Sequence, residues 1–171
     1  EFFQNNPFIL PEFVAYGVSE AKGPRFLVDA YCGVGMFALS AAKEFERVAG
    51  IEVSANAVEC ARKNAGINNI ANCSFFAGKA ENIFESVSSD YPGAETSVII
   101  DPPRSGCDMS FIGQLARFAP AKIVYVSCGP DTQARDAAEL QKLGYRLEKL
   151  QPFDLFPQTR HIESVATFLR Q

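Results

Sequence analysis

The 171-residue sequence has no tryptophan, only two methionines and no long apolar run. Apolar stretches such as residues 98–100 and 123–126 are far shorter than the roughly 20 residues that a membrane-spanning helix requires. The first residues lack the basic segment and apolar core of a signal peptide, and they do not resemble a transit peptide. We therefore expect a soluble protein that has no membrane partner.

Cysteine and histidine are too few and too scattered for a disulfide framework or a zinc site. There is one histidine, no Cys-x-x-Cys pair, and an odd number of cysteines, at positions 32, 60, 73, 107 and 128. This usage favours an intracellular, reducing compartment and predicts no metal centre. A functional cysteine in this chain would act alone.

Positive charge is also scarce. The sequence has 16 Lys and Arg against 20 Asp and Glu, with a net charge of -4 and a pI near 5.1. Proteins that bind nucleic acid through their own surface normally present a basic footprint to the phosphates. If the substrate is RNA, most phosphate contacts must therefore come from outside these residues.

Short β-rich runs alternate with helical patterns, which indicates an α/β fold with a parallel sheet. The length fits one domain over residues 1–171. The predicted strands are residues 25–29, 47–52, 73–77, 97–101, 122–127, 145–151 and 163–169. Helices are predicted before the first strand and at residues 36–45, 55–65, 81–88, 109–118 and 132–143.

A Gly-x-Gly loop follows the first predicted strand. Gly33 and Gly35 let the backbone approach a ligand at the start of a helix, where amide N–H groups are unpaired. Glu52 ends the next strand, where a doubly wound fold places the carboxylate that holds a ribose hydroxyl. The alternative is a tight turn beside a surface glutamate. Gly35 is followed by Met36, Phe37 and Ala38 rather than by a third glycine, so a cofactor without a pyrophosphate fits as well as a dinucleotide.

Two tetrapeptides end neighbouring predicted strands: Asp-Pro-Pro-Arg from Asp101 to Arg104, and Ser-Cys-Gly-Pro around Cys128. Ligands bind at the carboxyl ends of strands in such sheets, and adjacent strands lie about 4.8 Å apart. Asp101 and Cys128 are therefore expected to reach one ligand. Cys128 precedes a helix start that favours a thiolate, which makes it a candidate nucleophile. The alternative is a buried packing residue, and Cys107 is a rival nucleophile.

The segment between the last two strands carries a third group of polar residues. His161 and Glu163 are two positions apart, so they project from the same face of an extended segment. A carboxylate that enters an otherwise apolar strand is a candidate base with a raised pKa. A solvated loop with ordinary charges is the alternative.

Taken in order, these motifs resemble the RNA uracil-5-methyltransferase family, and most closely its eukaryotic, fungal-type tRNA members. The resemblance runs from Phe2-Phe3-Gln4 through the Gly-x-Gly loop and both tetrapeptides to His161-Ile162-Glu163. It implies a class I methyltransferase fold, Rossmann-like, with a mostly parallel seven-stranded sheet and helices on both faces. The family usually carries an N-terminal RNA-binding region, so the chain is expected to be the catalytic, C-terminal part of a longer protein.

The resemblance also implies an activity: methyl transfer from S-adenosyl-L-methionine to C5 of a uridine, with the T-loop uridine of tRNA as target. Cys128 would be the nucleophile and Glu163 the base. The implied cofactor-binding residues are Gln4, Tyr31, Gly33, Glu52 and Asp101. Basic residues near the crevice, namely Arg104, Arg135, Arg160 and His161, are candidates for substrate contacts or are solvated surface charges. A monomer is expected.

Three alternatives stay open at this point. The chain could be a cofactor-binding module that is inactive without an RNA-binding region, or its substrate could be ribosomal RNA. It could also be a methyltransferase that acts on an exocyclic nitrogen. Such enzymes place an aromatic residue after Pro-Pro, where this chain has Arg104.

Overall fold

The computed structural model describes residues 6–78, 83–84 and 87–171. These residues form a seven-stranded sheet in the order β3-β2-β1-β4-β5-β7-β6. The strands are β1 (Phe26–Ala30), β2 (Arg47–Glu52), β3 (Cys73–Ala77), β4 (Thr96–Ile100), β5 (Lys122–Ser127), β6 (Tyr145–Phe153) and β7 (Glu163–Arg170). β7 runs antiparallel to β5 and β6, and the pairs formed by β1 to β5 are parallel. The predicted mostly parallel sheet is confirmed.

In the described part of the chain, five α-helices flank the sheet: α1 (Leu10–Ala21), α2 (Met36–Ala41), α3 (Ala55–Ile67), α4 (Met109–Phe118) and α5 (Pro130–Lys142). The first three contribute to one apolar cluster and the last two to a second one. Because the sheet separates these clusters, helices cover both faces, as predicted. Among the described residues, no helix is both long and apolar enough to cross a bilayer.

Local chemistry explains several boundaries. Ser54 caps α3 by accepting a hydrogen bond from the Ala57 N–H at 3.3 Å. α5 begins at Pro130, two residues before the predicted start, because proline is well suited to the first helical turn. The predicted helix at 36–45 was too long, since α2 ends at Ala41 and continues as a 3-10 turn over Ala42–Glu44. Four of the eight residues of the helix predicted at 81–88 lie outside the described residues.

β1 and β4 form the centre of the sheet, and every residue of both strands is buried. Fully burying one aliphatic side chain of this kind contributes about 1.5–3 kcal/mol. β4 ends at Ile100, one residue before its predicted end, so Asp101 leaves the sheet just as it reaches the edge. The rigid centre therefore holds a half-buried carboxylate at the start of a loop.

Candidate active site

The carboxyl-terminal edge of the parallel strands brings together three of the residues predicted to bind a cofactor. Ala30 is in register with Ile51 on one side and with Ile100 on the other. The next residues along these strands are Tyr31, Glu52 and Asp101, so all three stand side by side at one edge of the sheet. Each of them is half-buried.

Glu52 joins the Gly-x-Gly loop to the start of α3, with one carboxylate oxygen bonded to each. Oε2 accepts a hydrogen bond from the Gly33 N–H at 3.1 Å, and Oε1 accepts one from the Ser54 N–H at 2.9 Å. Gly33 has φ +53, and a Cβ added there would meet no atom within 4 Å. The loop therefore faces open space, and the structure brings Gly33 and Glu52 together as the spacing predicted.

Two further carboxyl groups make this edge acidic. Burial raises the pKa of Asp101 to about 7. Burial also raises the pKa of Asp29 to about 8, despite a hydrogen bond from the Ala38 N–H, and the nearby carboxylates of Asp101 and Glu52 raise it further. Asp29 Oδ1 has no hydrogen-bond partner within the described part of the chain. A nearby positive charge would favour the ionised form of these carboxyls and lower their pKa values, so the edge can accommodate a cationic ligand.

Tyr31 turns the chain away from β1 in a left-handed conformation, with φ +66. Bulky residues rarely adopt this conformation, so it must be held by the surrounding structure. The Tyr31 ring lies 5.1 Å from the ring of Phe111 on α4. This contact fixes the aromatic face next to the acidic edge.

The predicted nucleophile and base lie next to each other on the antiparallel side of the sheet. Ser127 is in register with Ser164, so the residue after the first, Cys128, stands beside the residue before the second, Glu163. Glu163 is 1% exposed, and its Oε1 has no hydrogen-bond partner among the described residues. Burial, together with the charge of Asp101, raises its pKa to about 7 although Arg104 lowers it. The expected raised pKa is confirmed.

The Cys128 thiol does not have the lowered pKa that a helix start was expected to give it. Burial and the charge of Glu163 raise its pKa, and they outweigh the opposite effect of Arg104. Cys128 is nevertheless half-buried and accessible at the edge. The rival Cys107 is 4% exposed, and burial raises its pKa to about 12. The geometry therefore favours Cys128 over Cys107 as the nucleophile.

Of the remaining predicted site residues, Arg104 lies close to Cys128 and Glu163, and two others lie on the segment before Glu163. Arg104 is exposed and near enough to Cys128 and Glu163 to lower the pKa of both. The ring of His161 meets the ring of Phe156 edge-on at 6.3 Å, on the segment that leads to Glu163. Arg160 is exposed on the same segment. Gln4 lies outside the described residues.

Arg135 is held by intramolecular contacts rather than pointing freely from the surface. Its Nε and Nη2 donate to Asp136 Oδ1 at 2.8 and 2.7 Å. Nη2 also donates to the carbonyls of Ser105 and Cys107 at 3.1 and 3.2 Å. Arg135 therefore braces the loop that carries Arg104, and its predicted contact with a substrate stays a prediction.

The family described as tRNA (Uracil-5-)-methyltransferase matches residues 2–171. The chain belongs to this family. The chain is similar to the tRNA (uracil(54)-C(5))-methyltransferases of Saccharomyces cerevisiae and Schizosaccharomyces pombe, with 46% and 44% identity over 99% of this chain. The matched region makes up 28% and 34% of those two proteins. The chain thus spans about a third of the length of these curated relatives.

A solved structure of a family relative agrees with the fold. The Pyrococcus abyssi tRNA (uracil-54, C5)-methyltransferase, in complex with S-adenosyl-L-homocysteine, superposes with a TM-score of 0.84 at 34% identity. The match covers 99% of this chain and 40% of the Pyrococcus chain. An rRNA methylase from Streptococcus thermophilus has a TM-score of 0.68 at 13% identity, which shows the shared fold alone.

Two buried polar residues beside the site, Asp29 and Gln133, were not predicted from the sequence to be site residues. Asp29 carries a recognisable signal, an acid near the end of a buried strand just before the Gly-x-Gly loop. Gln133 carries none, because a glutamine in an amphipathic helix is ordinary. The structure shows its carboxamide buried between α5 and the ends of β5 and β7.

Proposed function

We propose that the chain transfers a methyl group from S-adenosyl-L-methionine to C5 of a uridine in RNA, through a covalent bond between Cys128 and C6 of the base. The T-loop uridine of tRNA is the proposed target. The observation that carries the proposal is the adjacency of Cys128 and Glu163 beside an acidic cofactor edge. The names of the yeast and Pyrococcus relatives support the same reaction.

The acidic edge fits the proposed cofactor, which carries an ammonium group, a sulfonium and two ribose hydroxyls. Asp29, Glu52 and Asp101 would face these groups, and the open Gly33 loop leaves room for them. Tyr31 and Gln4 complete the proposed set of binding residues. When bound, the cofactor supplies an electrophilic methyl group.

Cys128 and Glu163 would perform the two steps that the base requires. Uracil C5 is a poor nucleophile. Addition of the Cys128 thiolate to C6 pushes the electron pair of the C5–C6 double bond toward O4 and gives an enolate. C5 of this enolate would then take the methyl group, while the bond from that methyl group to the sulfonium sulfur breaks and its electron pair stays on the sulfur. Glu163 then takes the proton from C5, the double bond reforms, and the bond between sulfur and C6 breaks to release the thiolate. A carboxyl with a pKa near 7 suits this role at neutral pH.

The same proposal extends to the context of the domain. We take residues 1–171 as one catalytic domain that forms the C-terminal part of a longer protein. This protein would act as a monomer in a reducing intracellular compartment, and it would have no membrane partner. The free cysteines support the reducing compartment, and the shares of 28% and 34% of the two yeast relatives support a longer protein. Arg104, Arg135 and His161 would contact the RNA, while most phosphate contacts would come from the remainder of the longer protein.

A covalent trap tests the proposal. A T-arm RNA that carries 5-fluorouridine has no C5 proton to lose, so with the cofactor present it should form a complex with the chain that survives denaturation. Cys128→Ala should abolish the complex, while Cys107→Ala serves as the matched control and should retain it. A complex formed by Cys128→Ala would overturn the nucleophile assignment.

The trap also separates the alternatives. Binding of S-adenosyl-L-homocysteine without any trapped RNA would indicate a binding module, a reading that the small share of the relatives covered by the chain favours. A trap with an rRNA hairpin in preference to the T-arm would replace the tRNA substrate by rRNA.

A further inference from the structure

Gln133 lies in the first turns of α5 and is 5% exposed. Its Nε2 donates a hydrogen bond to the Tyr125 carbonyl on β5 at 3.0 Å. Its Oε1 accepts a hydrogen bond from the Ser164 hydroxyl on β7 at 2.7 Å. One carboxamide thus joins a helix to two neighbouring strands.

The two strands are the ones that deliver the proposed nucleophile and base. Tyr125 precedes Cys128 by three residues, and Ser164 directly follows Glu163. The Ser164 hydroxyl also lies 3.4 Å from the Ser127 carbonyl. Ser127 Oγ in turn accepts a hydrogen bond from the Gly129 N–H at 3.0 Å. The Gln133 link therefore lies beside the end of β5 and the start of β7, next to Cys128 and Glu163.

The polarity of Gln133 needs a reason, because its surroundings are largely apolar. Along the groove between α5 and the sheet, its neighbours include Ala134, Ala137 and Phe168. Burying an amide costs free energy unless its donor and acceptor are both bonded, whereas an aliphatic side chain of similar size would fill the same space without that cost. Gln133 is bonded at both ends, in a direction that fixes one strand relative to the other.

The link lies at the end of the backbone ladder between β5 and β7, within which both Tyr125 and Ser164 are registered. β5 and β7 are paired by their backbones up to Ser127 and Ser164, and the reactive side chains follow just beyond that last pair. The ends of secondary structure open more readily than their centres. A side-chain bridge at this position would suppress that opening.

We infer that Gln133 is a positioning residue that sets the separation between the Cys128 thiol and the Glu163 carboxylate; the inference rests on the proposed function. The carboxamide of Gln133 bonds to Tyr125 and Ser164 rather than to Cys128 or Glu163. It acts through the two strands that it joins.

The test compares two buried glutamines on the same face of the sheet. Gln133→Leu removes the link, and Gln114→Leu on α4, where Gln114 is 8% exposed, is the matched control. A misplacement of about 1 Å can cost about 100-fold in rate, so we expect Gln133→Leu to slow formation of the 5-fluorouridine adduct by about 10- to 100-fold. Release of methylated RNA should slow as well. The Kd for S-adenosyl-L-homocysteine should stay within about twofold of its original value, because the cofactor edge is formed by other strands.

Two further variants separate positioning from folding. Ser164→Ala deletes only the hydroxyl at one end of the link and should slow adduct formation in the same direction as Gln133→Leu. Gln133→Glu keeps the shape of the side chain, and its protonated form regains both a donor and an acceptor. Its adduct rate, divided by that of the unchanged chain at the same pH, should therefore rise as the pH falls.

The outcomes are distinct. Equal adduct rates for the unchanged chain and Gln133→Leu, or equal losses in Gln133→Leu and Gln114→Leu, would overturn the inference and leave the proposed function standing. No adduct in the unchanged chain would overturn both. A selective loss in Gln133→Leu and Ser164→Ala, with cofactor affinity preserved, supports the positioning role.

Discussion

Cys128 and Glu163 stand beside each other one position beyond the last registered pair of β5 and β7, Ser127 and Ser164. The charge of Glu163 is one of the causes that raise the pKa of the Cys128 thiol. The proposed nucleophile and base are therefore coupled electrostatically before any substrate binds. Their protonation states depend on each other.

This coupling predicts the effect of Glu163→Gln on thiol reactivity. Removing the negative charge takes away one cause of the raised pKa of Cys128, so the alkylation rate of this thiol should reach its midpoint at lower pH than in the unchanged chain. The measurement is the rate of reaction with iodoacetamide at Cys128 against pH. Glu59→Gln, at an exposed position on α3, is the control. A midpoint that stays in place or moves upward would contradict the coupling.

Glu163→Gln is also expected to stop the reaction after methyl transfer, before the RNA is released. The carboxamide that replaces the carboxylate cannot accept the C5 proton, so Glu163→Gln should form the adduct and methylate the base but fail to release it. Methylated RNA should accumulate in a complex that survives denaturation. Normal turnover would remove Glu163 as the base.

Glu52 is predicted to control cofactor affinity through the Gly33 loop. Glu52→Ala removes the acceptor for two backbone N–H groups, and hydrogen bonds to charged groups contribute about 1.5–3 kcal/mol each. The affinity for S-adenosyl-L-homocysteine, measured by calorimetry, should fall by about 10- to 100-fold. Lys63→Ala on α3 should bind as before. Unchanged binding by Glu52→Ala would exclude the loop as part of the cofactor site.

The buried acids predict an unusual dependence of stability on pH. The pKa values of Asp29, Asp101 and Glu163 are raised to about 8, 7 and 7 from ordinary values of 3.8, 3.8 and 4.5. Between the ordinary and the raised pKa values, the folded chain binds more protons than the unfolded chain. The contribution of these three groups to the free energy of unfolding is therefore highest below about pH 4. It should fall as the pH rises toward about 8.

Urea denaturation at a series of pH values measures this contribution. Asp29→Asn should flatten the decline, most strongly at its upper end, because Asp29 has the highest of the three pKa values. A decline of the same slope in Asp29→Asn and in the unchanged chain would show that Asp29 is ionised in the folded state at neutral pH.

Asp136 is predicted to matter more for stability than its partner Arg135. Asp136 is fully buried and accepts hydrogen bonds from the Tyr125 hydroxyl and the Cys107 N–H, both at 2.7 Å. Asp136→Ala leaves buried donors unpaired and should cost about 3–5 kcal/mol of unfolding free energy. Arg135→Ala should cost about 1 kcal/mol or less, since its side chain is half exposed. Equal costs would contradict this assignment.

Arg135→Ala also tests the predicted contact with RNA. A phosphate contact would lower the slope of binding against salt concentration by about one. A loss of affinity without a change of slope would show that Arg135 acts by bracing the loop of Arg104.

The order of strands and helices could be predicted because each element carries a local signal. Ser54, a typical helix cap, precedes α3, and Gly144, with φ +91, follows α5. Glu52 and Asp101 were expected at the ends of strands, where ligands bind in such sheets, whereas the place of Tyr31 was implied by the resemblance. The reduction in length of α2 could not be predicted, since Ala42 and its neighbours suit a helix and only the turn into β2 ends it.

The electrostatics of the site were harder to predict. A helix start after Cys128 indicated a lowered pKa for the thiol, but burial and Glu163 have the larger effect, and both depend on how β7 pairs with β5. The contacts of Gln133 could not be predicted for the same reason. Its two partners are eight positions before it and 31 positions after it, so no local pattern connects them.

The pairing of β7 with a strand on each side fixes the position of Glu163, the proposed base. Because β5 and β6 both pair with it, the height of Glu163 at the site is set by the sheet rather than by residues 154–162, which arrive there from β6. Within that segment Leu155 is fully buried in the core, whereas residues 157–160 are exposed. Changes in length should therefore be tolerated best at residues 157–160, while the proposed base keeps its place in the sheet.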